Sequence, residues 1–158
     1  MNDSMKETID SLNNLLSRNL DAAEGFVEVA NNVNYVNLTQ WLIEWAKAHN
    51  SYALELKKLI VKLGGEVTSD STTLLGELHH AWVDLKAQWT NNDTETLLEE
   101  CLRGELTALK DYAEVSASNV MPDYARDLLT HQHSEIRRAI KSLEFMKKTY
   151  AQMEEATE

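Results

Sequence analysis

The chain of 158 residues carries 26 acids against 15 lysines and arginines, a formal net charge of -11. Nucleic acid and anionic membrane both select basic faces, so this balance argues against either as a partner. One proline and five glycines leave so little punctuation that long helices are expected and a many-stranded fold is excluded.

The opening MNDSMKETID is polar and acidic, with the character of neither a signal nor a transit peptide. Nowhere does an apolar run approach the roughly 18 residues of a membrane span. A lone cysteine, Cys101, rules out an internal disulfide and suits a reducing compartment, so a cytoplasmic, bacterial-style protein is expected. A first helix over 4–34 starts at a capping box, Ser4 with Glu7. Its apolar line runs through Ile9, Leu12 and Leu16 to Ala23, Phe26, Ala30 and Val33, and breaks once, at Asn19. A second helix over 38–63, capped within Asn37–Gln40, carries Leu42, Trp45, Leu56, Leu59 and Leu63. Its line turns polar at mid-length, where His49 and Tyr52 sit three apart on one face. Gly64-Gly65 stops it.

A Ser- and Thr-rich loop leads to a shorter helix over 74–90, with Trp82 and Trp89 on its stripe. At that length it spans roughly 24 Å, most of a bundle. The next helix, 93–118, takes its cap from Asn92 and Glu95 and lines up Leu98, Cys101, Ala108, Tyr112 and Val115, with Glu105 where a buried side chain belongs. An unpaired buried carboxylate is very costly, so Glu105 requires partners on other helices. The last helix, 122–154, starts at Pro122 and keeps Leu129, Ile136, Ala139 and Leu143 inward, with Gln132 the polar member and Glu135 one turn beyond. The whole of 1–158 reads as one domain.

Each long helix thus breaks its apolar line once, and equal rise per residue puts Asn19, His49 with Tyr52, Glu105 and Gln132 near one level of an antiparallel bundle. The long connection between the second and third long helices suits a ferritin-like plan, in which a crossover lays two helix pairs side by side. Di-iron sites of that plan use a Glu from each of two helices and a Glu-x-x-His from each of the others. Here the single slots fall at Asn19 and Glu105, and the paired slots at His49–Tyr52 and Gln132–Glu135. Glu105 and Glu135 are the only carboxylates left to meet two irons, so a ferroxidase or oxygenase is not expected. Two readings of the layer stand: a hydrogen-bonded cluster with no cofactor, or one zinc or iron held by His49, Glu105 and Glu135. A pocket for a small molecule at the same level is a third. His79-His80 and His131-x-His133 cannot chelate from one helix face and are read as exposed. Cys101 is read as core, and Gly25 and Gly104 as points of close helix approach or subunit contact.

The first helix, LNNLLSRNLDAAEGF, resembles that of bacterioferritin, with Asn19 in an iron-ligand slot and Phe26 in an aromatic one. Leu75–Ala87 (LGELHHAWVDLKA) and Leu97–Glu114 (LLEECLRGELTALKDYAE) resemble GxLHRxWxDLKA and LEExERGExxAL-x-x-Y patterns of an uncharacterised bacterial ferritin-like four-helix-bundle family. Glu24-Gly25-Phe26 and Leu63–Glu66 match as well, and His80 departs from a basic residue in the pattern. The likeness covers roughly residues 5–148 and implies the all-α bundle, related in fold to bacterioferritin and rubrerythrin, with no activity attached. The resulting expectation is a non-catalytic cytoplasmic protein that forms a homo-oligomer, a dimer, or binds a protein partner.

Overall fold

The computed structural model describes residues 1–68 and 93–157. It contains the helices α1 (Asp3–Ala30), α2 (Val36–Lys62), α3 (Thr94–Ser116) and α4 (Asp123–Ala156). The expected helix over 74–90, with His79, His80, Trp82 and Trp89, lies outside the described residues. Among the described residues no helix is long and apolar enough to cross a membrane.

Helix ends differ from the expected ones where a nearer side chain supplies the cap. Asn2, not Ser4, caps α1, its side chain accepting from the Met5 amide at 2.7 Å. Asp93, not Asn92, caps α3 through the amide of Glu95 and also receives the Thr96 hydroxyl. The α2 helix begins before the Asn37–Gln40 cap, at Val36, and has no side-chain cap. At its other end Gly64 takes a φ of 87°, a left-handed turn natural only to glycine, and the Gly65 amide returns to the Ile60 carbonyl. Asn13 then fastens the departing chain, donating to the Glu66 carbonyl and accepting from the Thr68 amide. Gly104 is exposed, and a Cβ there would meet nothing within 4 Å, so close packing in the chain is not its reason.

Two hairpins, α1 with α2 and α3 with α4, pack side by side through α1–α3 and α2–α4 contacts. Pairs such as Thr8–Ser118 and Arg18–Asp111 show α1 antiparallel to α3. Tyr35–Tyr150 at one end and Lys62 over Tyr124 at the other show the same for α2 and α4. The α2 helix therefore ends and α3 begins at opposite ends of the bundle. At ~1.5 Å per residue the 27 residues of α2 span about 40 Å, the scale of the separation between those two ends. The core falls into two apolar clusters. One gathers Leu12, Leu16, Leu56, Ile60, Leu129 and Ile136; the other Ala23, Phe26, Leu42, Leu98, Cys101 and Leu143. Between them lie Asn19, His49 and Glu105.

Candidate functional site

Three helices each place a polar side chain at this junction, because each interrupts an apolar heptad line there. Asn19, His49 and Glu105 are all at most 1% exposed, so nearly every polar atom must find a protein partner. His49 Nε2 lies 2.8 Å from Glu105 Oε1, and His49 Nδ1 lies 2.7 Å from Asn19 Oδ1. The Asn19 amide nitrogen donates to the Leu15 carbonyl and to the Tyr112 oxygen, both at 2.9 Å. With its nitrogen so used, Asn19 offers only its oxygen to the ring, and Nδ1 of His49 must carry hydrogen and donate. The opposite ring nitrogen and Glu105 then share a single proton along the Nε2–Oε1 axis, and the pair has no net charge. The second carboxylate oxygen accepts from the Trp45 indole N–H at 2.8 Å. Phe26 stacks on the imidazole with centroids 5.6 Å apart, and Trp45 and Tyr52 meet its edge, which fixes the ring plane.

The chain of bonds continues into the neighbouring cluster. Tyr112 donates to Gln132 Oε1 at 2.6 Å, and the Gln132 nitrogen donates to the Tyr52 carbonyl and to Glu55. Gln132 thus joins the layer through Tyr112 and sits among the residues of the first core cluster. The Tyr52 hydroxyl turns outward, donating to Glu135, whose other oxygen accepts from the exposed His131 at 2.7 Å. Tyr52 is therefore not a partner of Glu105; Trp45 fills that place. Trp45 and Tyr112 were legible in the sequence only as inward packing residues.

The phenols answer to the same burial. Burial first, then the hydrogen bond to Glu135, pushes the Tyr52 ionisation far above the ordinary tyrosine value. Burial does the same for Tyr112, against a small opposing effect of Asn19. A phenol with a raised folded-state value contributes stability that is fully present below pH ~10 and is lost as pH rises above it. In a spectrophotometric titration Tyr52 and Tyr112 are expected to withhold their phenolate absorbance until the chain unfolds. Ionisation of all five tyrosines with the helical signal intact would contradict this. Cys101 is buried, and burial followed by the Glu105 and Glu100 carboxylates pushes its thiol up, leaving it protonated and unreactive.

A ferritin-like plan implies paired irons, and the donor set does not fit them. The imidazole and the one central carboxylate face each other at hydrogen-bond distance, and the remaining members are amides and a phenol. Glu135, the third member of the mononuclear arrangement considered from the sequence, is held at Tyr52 and His131, away from the other two. Among the described residues no group of three or more His, Cys, Asp or Glu side chains is placed to hold a metal ion. An open groove of about 360 Å³ lies at the end of the bundle, among Ser4, Glu7, Thr8, Glu114 and Asn119, not in the polar layer.

Residues 7–118 match the family described as Domain of unknown function (DUF2383). No curated protein matches the chain. Among solved structures, the fold is similar to a dodecameric thioferritin, the bacterioferritin-related protein from Bacteroides fragilis. The TM-score is 0.77 at 22% identity, covering 96% of this chain and 90% of that one. At such identity the likeness speaks for architecture alone, an all-α ferritin-like four-helix bundle.

Proposed function

The chain belongs to the DUF2383 family, and on that footing we propose that it is a non-catalytic, self-associating ferritin-like protein of the cytoplasm. Its di-iron position, in this reading, has become a structural polar layer. The observation that carries the proposal is the direct bond between His49 and Glu105, 2.8 Å long, at a place with almost no exposure to solvent. A cation entering here would have to displace the proton shared by His49 and Glu105 and break the bond between them. Buried polar clusters of this kind fix the register of packed helices at some expense in stability. Self-association is supported by two further points, and a dimer as its basic unit is part of the proposal. The thioferritin of similar fold is a dodecamer by its description, and Phe145 lies 71% exposed on α4.

Metal analysis tests the central claim. Protein incubated with ferrous iron or zinc and then desalted is expected to retain metal far below stoichiometry. A stoichiometric ion that disappears in Glu105→Gln, a variant that keeps the hydrogen bonds, would replace this reading with a mononuclear metal protein.

A further inference from the structure

On the outer face of α4, positions three and four apart form one continuous exposed stripe, because ~100° per residue returns them to the same side. Its first half is acidic, with Asp123 and Asp127 exposed. Ser134 lies near its middle. Its second half is mainly basic, with Arg138, Lys141 and Lys148 exposed around Phe145 and Glu144 the one acid beside them. Residues 137–148 hold five of the 15 lysines and arginines of a chain whose net charge is -11. Attraction to the helix dipole does not explain this, since that effect fades within the terminal turn and Arg138 and Lys141 lie well before Ala156. Lys147, on the flank, pairs with Glu99 across the bundle. Among the described residues the five charged members of the stripe have no ion-pair partner.

We infer that this stripe is the contact between two copies of the chain, with the α4 helices antiparallel about a two-fold axis midway between Ser134 and Arg138. Such an axis requires one patch to be complementary to itself, and a stripe acidic at one end and basic at the other meets that requirement when reversed. Lys148 of each copy then faces Asp123 of the other, and Arg138 lies across from Ser134. Phe145 comes opposite Asp127, and its ring is covered by the aliphatic parts of the facing helix, close to Tyr124. A nucleic acid or anionic surface would draw on the basic half and be repelled by the acidic half. A second copy satisfies both. The inference rests on the proposed self-association and gives it a surface.

Light scattering on two charge-reversed proteins tests it. One carries Lys141→Glu with Lys148→Glu, the other Asp123→Lys with Asp127→Lys, all at exposed positions. Each alone is expected to lose at least half of the wild-type particle mass. An equimolar mixture is expected to recover it, because each reversed end then faces the opposite charge, Lys148→Glu against Asp123→Lys, and the recovery also shows that both variants are folded. Phe145→Glu, which sets a carboxylate opposite Asp127, is expected to lower the mass and to recover it only when mixed with the Asp123→Lys, Asp127→Lys protein. Variants that keep the wild-type mass would overturn this surface while leaving self-association standing. A wild-type protein that stays monomeric at high concentration would overturn both.

Discussion

Glu105→Ala is expected to lower the unfolding free energy by about 3–5 kcal/mol, the range for removing one partner of a buried ion pair. The loss has two sources. The His49 Nε2 nitrogen and the Trp45 N–H both lose their acceptor or proton donor, and neither can turn to water from where the ring stack holds them. Glu105→Gln is expected to cost far less. Its oxygen can accept from Trp45 while its amide donates to Nε2, with His49 Nδ1–H still on Asn19, so all bonds are kept with a neutral pair. Urea unfolding followed by circular dichroism measures both variants. Equal losses for Ala and Gln would show that charge, not hydrogen-bond satisfaction, governs the layer.

Tyr112→Phe is expected to destabilise by about 1–3 kcal/mol, the penalty for leaving buried polar groups without a partner. The lost hydroxyl is the hinge between two halves of the network, accepting from Asn19 and donating to Gln132. The residue is fully buried, so water cannot take over either role. Tyr52→Phe provides the contrast. Its partner Glu135 keeps His131 and is partly open to solvent, so its loss is expected to be clearly smaller in the same measurement. If Tyr52→Phe proved the more damaging, the network would be centred on the wrong tyrosine.

The heptad breaks at Asn19, His49, Glu105 and Gln132 were readable because a polar residue in an apolar line has no other explanation than burial or error. All four are buried. Their bonding was not readable in the same way. Trp45 and Tyr52 lie seven residues apart on nearly one face of α2, and the height at which Glu105 meets that face decides which of them it bonds. Tyr112 looked like packing because its ring is packing; only the hydroxyl belongs to the network. The role of the buried Asn13 is not legible in the sequence, because its partners are backbone groups of the chain leaving α2, which no side-chain pattern encodes.

Helix number, helix direction and the inward face of each helix follow from local periodicity and from scarce turn residues, all of which are properties of contiguous sequence. The length of the connection between the second and third long helices adds the expectation of a crossover. What only the assembled bundle decides is who bonds to whom: that Glu105 reaches the imidazole and the indole, that Glu135 is drawn aside to Tyr52, and that one proton sits between His49 and Glu105. Those choices depend on distances of about 3 Å between helices far apart in the chain, and hydrogen bonds lose most of their strength over less than an ångström.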